Sequence, residues 1–188
     1  MGKIISFINT TPDGFADSQY VTPDAEYFEF VHDILTEVQT VAYGRNTFEL
    51  FQQLWPVRLE SDATPYWQMK MAHALTDIPK QVYSSALSTT TWKNSTIVRD
   101  LDVKAIRRFK QADQKGLLTF GSLALVAALT QNQLVDDYYF CIQSLIGGGG
   151  STRLFSKTAL NAPQPLKLKS TKVLQSGVVI VHYQRADQ

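Results

Sequence analysis

The chain has 188 residues, of which 44% are hydrophobic and 19% charged, and its formal net charge at neutral pH is +1. These values are typical of one globular domain with a sizeable core, and they disfavour nucleic acid or a membrane as a partner. The single cysteine, Cys141, cannot form an internal disulfide, and we predict neither a signal peptide nor a membrane-spanning segment. We therefore expect a soluble cytoplasmic protein.

Short apolar runs typical of strands alternate along the chain with longer segments that have apolar residues at helical spacing. In chain order, the predicted elements are strand 3–9, helix 22–38, strand 40–44, helix 45–54, helix 66–75, strand 80–87, strand 95–100, helix 102–112, strand 116–122, helix 123–134 and strand 136–150. Thr22 is the expected N-cap of the first helix, with Pro23 at the first helical position. Residues 166–184 then alternate as a β-hairpin around a turn at Ser176-Gly177.

This alternation predicts a single domain, residues 1–188, of the α/β class with three layers. We expect a mostly parallel central sheet and an antiparallel C-terminal hairpin. In an open sheet of this kind, ligands bind beyond the carboxyl ends of the parallel strands. The residues that directly follow each strand are therefore the candidates for a binding site.

Small, polar and basic residues follow several of the predicted strands, namely in segments 9–14, 44–47, 84–85 and 121–122. Amides at helix N-termini, hydroxyl groups and the guanidinium of Arg45 suit a phosphorylated ligand. Each segment also has a local explanation as a turn or a helix cap, and Asp13 is a common turn-forming residue. Their expected position at one end of the sheet favours a shared site.

The glycine run Gly147–Gly150 matches neither of the common nucleotide-binding motifs. No lysine precedes Ser151-Thr152, as a P-loop requires, and Thr152 stands where the Rossmann fingerprint needs glycine or alanine. Glycines this dense indicate close approach of the backbone to a neighbouring segment or to a cofactor. The three histidines form no metal-binding or Cys–His pattern, so we expect no metal site.

Taken together, the motifs resemble the dihydrofolate reductase-like superfamily, most closely the reductase domain of riboflavin biosynthesis and its stand-alone bacterial relatives. The resemblance spans residues 3–183 and rests on Thr11-Pro12-Asp13-Gly14-Phe15, Gly44-Arg45-Asn46-Thr47-Phe48, Ser84-Ser85-Ala86-Leu87, Trp92-Lys93-Asn94, Gly121-Ser122, Leu134-Val135-Asp136-Asp137 and segment 147–155. It implies an NADPH-dependent oxidoreductase that transfers hydride to a small heterocyclic or carbonyl substrate. A nucleotide-binding protein of the same fold without turnover is the alternative.

The resemblance also assigns roles to individual residues. Implied cofactor-binding residues are Gly44, Arg45, Thr47, Ser84, Ser85, Gly121, Ser122, Leu123, Gly148 and Gly149. Among them, Arg45, Ser84 and Ser85 are the candidates for the 2′-phosphate. Asp13 is the candidate catalytic residue, and the candidate substrate-binding residues are Asn9, Phe28 and Val31. We further expect a homodimer, formed through the apolar C-terminal hairpin.

Overall fold

A computed structural model describes residues 1–112, 114–156 and 158–186. The strands are β1 Ile4–Thr10, β2 Val38–Gly44, β3 Lys80–Tyr83, β4 Ser95–Val98, β5 Gly116–Phe120, β6 Asp137–Ile142, β7 Leu166–Val173 and β8 Val179–Arg185. The helices are α1 Ala25–Thr36, α2 Arg45–Leu54, α3 Tyr66–Asp77, α4 Val103–Gln111 and α5 Leu123–Gln131, with 3₁₀ turns at Ser18–Tyr20 and Pro56–Glu60. None of these helices is long and apolar enough to cross a membrane.

The strands form one eight-stranded sheet in the order β4-β3-β2-β5-β1-β6-β8-β7. Strands β1 to β6 are parallel to their neighbours within that group. Strand β8 runs antiparallel to β6, and β7 pairs antiparallel with β8. The predicted fold class, a mostly parallel sheet with an antiparallel C-terminal hairpin, is confirmed.

Two apolar cores, one on each face of the sheet, make the domain three-layered. On one face α1, α2 and α3 bury Val31, Phe48 and Leu75 against the sheet. On the other face α4 and α5 contribute Ile106 and Leu129 to a second core. Strand β5 is buried at every position, as expected for a parallel strand that helices cover on both faces.

The first helix begins later than the sequence indicated. Asp24, not Thr22, is the N-cap of α1, and its Oδ1 accepts a hydrogen bond from the Tyr27 amide at 2.8 Å. The amide of Thr22 instead donates to Oε1 of Gln143 at 3.2 Å, next to the end of β6. Thr22 therefore belongs to the segment that enters the helix, because this long-range contact holds it outside the first turn.

Strands β3 and β5 also end before the polar residues that were predicted to belong to them. Strand β3 ends at Tyr83, which pairs with Gly44 at the end of β2, and β5 ends at Phe120. The amides of Ser84 and Gly121 still donate to the carbonyl oxygens of Val98 and Phe7 on the neighbouring strands, at 3.0 and 2.9 Å, and segments 84–85 and 121–122 leave the sheet from these bonds. Their backbone can turn toward a ligand, which suits the proposed location of a site.

A buried lysine closes the C-terminus of α3. Lys80 is 1% exposed, and its Nζ donates to the carbonyl oxygens of Leu75, Thr76 and Ile78 at 2.7, 3.0 and 2.8 Å. Burial lowers the pKa of this ammonium group to about 8. These bonds satisfy carbonyl groups that have no partner within the helix.

Candidate active site

A cavity of about 1100 Å³ lies beyond the carboxyl ends of β1, β2, β3 and β5. Most of the residues that the sequence singled out line it, namely Asn9, Phe28, Val31, Gly44, Arg45, Thr47, Ser84, Ser85, Gly121, Ser122 and Leu123. The structure thus brings together four strand ends that are far apart in the sequence. This is the position where parallel α/β sheets bind ligands.

Two hydrogen bonds connect the N-termini of α2 and α5 at the centre of the cavity wall. The Gly44 amide donates to Oγ of Ser122 at 2.9 Å, and the Ser122 amide donates to Oγ1 of Thr47 at 3.2 Å. Ser122 makes no side-chain cap to its own helix, and its backbone is left-handed, with φ of +49°. The hydroxyl group of Ser122 therefore joins two helix starts and does not serve as a local cap.

This arrangement leaves helix amides available to a ligand. Leu123 and Ala124 line the cavity in the first turn of α5, where backbone amides have no acceptor within the helix. The same holds for Asn46 and Thr47 at the start of α2. Two helix N-termini that meet at one point favour negative charge, so the donor set fits a diphosphate.

Arg99 is a cavity-lining residue that the sequence reasoning missed. Its Nη1 donates to the carbonyl oxygens of Ser84, Ser85 and Leu87 at 3.1, 3.2 and 2.6 Å. It directly follows β4, so the rule that identified the other strand ends would have found it. Arg99 fixes the turn after β3 and brings a positive charge to that end of the cavity.

The two predicted serines differ in their surroundings. Oγ of Ser84 accepts from the amides of Ala86 and Leu87 at 3.2 and 2.9 Å, so Ser84 is a turn-forming residue as well as a cavity residue. Ser85 is exposed, and its side chain makes no hydrogen bond within the described residues. Ser85 is thus the freer of the two hydroxyl groups.

Arg45 lies at the rim of the cavity, at the first position of α2. Its side chain is 48% exposed, and Nη1 lies 3.4 Å from Oε2 of Glu49, one turn along the helix. An exposed ion pair of this kind contributes little to stability. The guanidinium of Arg45 is therefore available to bind an anion at small cost to the fold.

The other half of the cavity is apolar and aromatic, with walls formed by Phe28, Val31, Phe51, Leu54, Trp55, Met71 and Phe120. The ring of Phe28 packs edge-on against Trp55, with centroids 5.5 Å apart. Asn9 and Tyr27 are polar groups at the edge of this region, and they hydrogen-bond to each other at 3.0 Å. An apolar compartment with few polar groups suits a small ring compound.

Asp13, Gly148 and Gly149 do not line the cavity. The carboxylate of Asp13 accepts from the amides of Gly147 and Gly148 at 2.9 and 2.8 Å. Hydrogen bonds from the Thr11 side chain and from these two amides lower the pKa of Asp13 to about 2. This geometry favours a supporting role for Asp13, so its catalytic role stays an untested prediction.

The glycine run is explained by its neighbour, the loop 13–20. A Cβ atom at position 150 would lie 2.5 Å from Oδ2 of Asp17 and 2.7 Å from Cδ1 of Phe15. Gly148 has φ of +67°, which other residues rarely adopt. Of the two explanations that the sequence left open, the structure shows close approach to a neighbouring segment.

Asp17 and Tyr20 complete the junction between the two loops. Hydrogen bonds from the side chain and amide of Ser151 and from the Thr152 amide lower the pKa of Asp17. The hydroxyl group of Tyr20 donates to the carbonyl oxygens of Gly147 and Gly149. Residues 16–19 and 151–153 line one side of the cavity, so the glycine run packs against the segments that form this wall.

The residues that the structure describes contain no group of three or more histidine, cysteine, aspartate or glutamate side chains that could hold a metal ion. The cavity offers backbone amides, hydroxyl groups, aromatic rings, the carboxylates of Asp17 and Asp100, and the arginines Arg45, Arg99 and Arg153.

Solved structures with the same fold come from several bacteria. A protein provisionally assigned to riboflavin biosynthesis, from Shewanella sp. PV-4, has a TM-score of 0.71 and 19% identity over 98% of this chain and 99% of that one. A pyrimidine reductase-like protein from Corynebacterium diphtheriae has a TM-score of 0.65 and 10% identity, over 100% of this chain and 93% of that one.

The Thermotoga maritima diaminohydroxyphosphoribosylaminopyrimidine deaminase/5-amino-6-(5-phosphoribosylamino)uracil reductase has a TM-score of 0.68 and 15% identity. That match covers 98% of this chain and 57% of that one. At these identities the similarities show the fold.

Sequence comparisons show the family. The protein YyaP of Bacillus subtilis (strain 168), described as uncharacterized, is 25% identical over 190 residues, which cover 96% of this chain and 94% of YyaP. The family model of the RibD C-terminal domain matches residues 3–181. The chain therefore belongs to the RibD C-terminal domain family, a reductase-like family within the superfamily that its motifs predicted.

Proposed function

We propose that this protein is an NADPH-dependent oxidoreductase that reduces a small heterocyclic or carbonyl compound. The observation that carries the proposal is the pair of helix N-termini joined through Ser122, which opens into the same cavity as an aromatic compartment. One half of the cavity suits a dinucleotide and the other a planar ring. Membership of a reductase-like family supports the same reading.

In this proposal NADPH supplies the hydride, and the protein supplies binding, orientation and exclusion of water. The amides of Leu123 and Ala124 bind the diphosphate at the start of α5. Arg45 and Ser85 bind the 2′-phosphate, and Arg99 holds the turn that carries Ser85. Gly44 and Gly121 have no side chain and leave room for the cofactor against the cavity wall.

The substrate occupies the apolar half, between Asn9 and the first helix. Phe28 and Val31 form its wall and keep water away from the reacting atoms. Burial raises the pKa of the Tyr27 hydroxyl group, so this group stays protonated at neutral pH. We propose that the proton accompanying the hydride comes from water.

Titration with NADPH and NADH, followed by tryptophan fluorescence, tests the proposal directly. Trp55 lines the cavity, so a bound dinucleotide should quench its emission. We expect NADPH to bind more tightly than NADH. The absence of binding at millimolar NADPH would contradict the proposed function.

Arg45→Ala tests the assignment of the 2′-phosphate site. Because Arg45 is half exposed, loss of its contact should cost about 1.5 kcal/mol, or roughly tenfold in NADPH affinity. NADH affinity should change little. Arg108→Ala is the matched control, since Arg108 is also an exposed arginine, lies near Asp102 and does not line the cavity. Equal losses for both cofactors would refute the role of Arg45.

A nucleotide-binding protein without turnover is the second candidate. The observation in its favour concerns the carboxylates that line the cavity in the described part of the chain, Asp17 and Asp100: the first is already engaged by the amides of Ser151 and Thr152, so the cavity offers no evident proton donor. Incubation with NADPH and a panel of pterins, quinones and pyrimidine-diones separates the two candidates. Cofactor binding without NADPH oxidation across the panel would favour the silent protein.

We also propose that the protein is a cytoplasmic homodimer that associates through its C-terminal hairpin. Strand β7 is exposed along its whole length, including Leu168 at 53% and Val173 at 68%. An exposed edge strand with apolar side chains is a common site of self-association. A monomeric sedimentation coefficient would dismiss the dimer.

A further inference from the structure

Four groups form a continuous hydrogen-bonded chain beside the apolar half of the cavity. The Thr22 amide donates to Oε1 of Gln143 at 3.2 Å, and Nε2 of Gln143 donates to Oδ1 of Asn9 at 3.1 Å. The hydroxyl group of Tyr27 lies 3.0 Å from Nδ2 and 3.2 Å from Oδ1 of Asn9. Asn9 and Tyr27 line the cavity, whereas Gln143 is 1% exposed and lies behind them.

The orientation of each amide in this chain follows from the first donor. A backbone N–H can only donate, so the Thr22 amide requires the oxygen of Gln143 on its side. The nitrogen of Gln143 then faces Asn9, and its remaining hydrogen points to the Cys141 sulfur, 3.6 Å away. A reversed Gln143 would place two N–H groups opposite each other in a buried position, at a high free-energy cost.

The orientation of Asn9 follows in turn. Its Oδ1 accepts from Gln143 and from the Tyr27 hydroxyl group, which uses both lone pairs of the oxygen. Its Nδ2 carries two hydrogens, of which at most one is directed to Tyr27. Asn9 therefore has a free N–H donor, and no free acceptor, where it meets the cavity.

We infer that Gln143 is a positioning residue that fixes Asn9 as a hydrogen-bond donor to the substrate. The inference rests on the proposed function, since it concerns the substrate half of the same cavity. A donor fixed next to an aromatic compartment selects a heterocycle with an acceptor, either a ring carbonyl oxygen or an unprotonated ring nitrogen. An exocyclic amino group at that point would meet another N–H and would be rejected.

Neutron diffraction from a perdeuterated crystal tests the orientation without any ligand. We expect two deuterons on Nδ2 of Asn9, one of them directed into the cavity, and an oxygen of Gln143 facing the Thr22 amide. Finding Oδ1 of Asn9 directed into the cavity would overturn the inference. This result does not depend on cofactor binding, so it is separable from the proposed function.

A matched pair of ligands tests the selectivity. Quinazolin-4-one carries a ring carbonyl where 4-aminoquinazoline carries an amino group, and both are titrated against protein saturated with NADP⁺. Wild-type protein should bind quinazolin-4-one about tenfold more tightly than 4-aminoquinazoline. The first ligand accepts a hydrogen bond from Asn9, whereas the amino group of the second would face the Asn9 N–H group. Asn9→Asp, which has only acceptors, should reverse the preference.

Gln143→Leu should bring the ratio of the two affinities close to one, because Asn9 can then turn over. NADP⁺ affinity should stay as in the wild type. Cys141→Ala is the control, since it perturbs the same buried region without removing the fixed orientation, and its ratio should match the wild type. A loss of ligand discrimination at unchanged NADP⁺ affinity is not expected from a purely structural role of Gln143.

Each remaining outcome would overturn either the inference on Asn9 or the proposed function. The same affinity ratio in wild type, Asn9→Asp and Gln143→Leu would overturn the inference. Failure of both quinazolines to bind at millimolar concentration would overturn the assigned substrate class. Failure of NADP⁺ and NADPH to bind the wild type would instead remove the proposed function, while the neutron result would still decide the orientation of Asn9.

Discussion

Removal of the Ser122 hydroxyl group tests whether the contact between α2 and α5 builds the cofactor site. In Ser122→Ala the partly buried Gly44 amide loses its acceptor, which should cost about 1 kcal/mol of stability. Ser122→Gly loses the same bond but relieves the left-handed backbone, which costs a non-glycine residue about 1–2 kcal/mol. The glycine variant should therefore be the more stable of the two.

Cofactor affinity should not distinguish the two variants, although their stabilities differ. Both variants lose one of the two bonds between the starts of α2 and α5 and keep the bond from the backbone amide of residue 122 to Thr47, so both should bind NADP⁺ more weakly, by about fivefold, or roughly 1 kcal/mol. Urea unfolding measures the free energies, and quenching of tryptophan fluorescence measures the affinities. The two measurements separate backbone strain from the geometry of the site.

Ser144→Ala provides the control for these two variants. The Ser144 hydroxyl group is exposed and donates to the Ser176 carbonyl oxygen at 3.1 Å, away from the cavity. Its removal should change stability by less than about 0.5 kcal/mol and leave NADP⁺ affinity as it was. If Ser122→Ala lowers stability but retains full NADP⁺ affinity, the contact between the helices is structural only. If neither quantity changes, the reasoning is wrong.

Two further predictions concern residues outside the cavity. Burial lowers the pKa of Lys80 in the folded state from 10.5 to about 8. Between these two pH values the unfolded chain binds more protons than the folded chain, so the free energy of unfolding rises with pH. Urea unfolding should show the wild type gaining on the order of 2 kcal/mol over Lys80→Met between pH 8 and about pH 10; parallel pH dependence would contradict this. Asp13→Asn should speed amide exchange at Gly147 and Gly148, measured by mass spectrometry, and unchanged exchange would argue against the supporting role of Asp13.

Much of the fold could be predicted because local periodicity and sheet architecture are linked. Apolar runs separated by amphipathic segments imply crossovers between parallel strands, and the alternation in 166–184 implies a hairpin. The same logic correctly grouped Gly44, Ser84 and Gly121 at one edge of the sheet. The strand order was beyond reach, since it depends on contacts between distant segments.

The predicted site residues that do not line the cavity, Asp13, Gly148 and Gly149, lie elsewhere for a common physical reason. Asp13 and the glycines follow strands, as the cavity residues do, but their side chains and amides bind each other. Turn-forming residues in the sequence predict where the chain reverses, but they do not predict which part of the fold the following segment contacts. Gln143 was missed for a related reason, because it is 134 positions from Asn9 and a buried glutamine has no local pattern.

The sheet order explains why two kinds of chemistry meet in one cavity. Strand β5 lies between β1 and β2, and the Gly121 amide after β5 donates to the Phe7 carbonyl oxygen of β1 at 2.9 Å. The next residue, Ser122, binds the start of α2 on the other side. The junction between β5 and α5 therefore contacts both β1 and the start of α2. On the other side of β1, the side-chain amide of Asn9 contacts Gln143, which follows β6. Ser122 orders the first half of the cavity and Gln143 the second, so under the proposed function cofactor affinity and substrate selectivity should respond to separate substitutions.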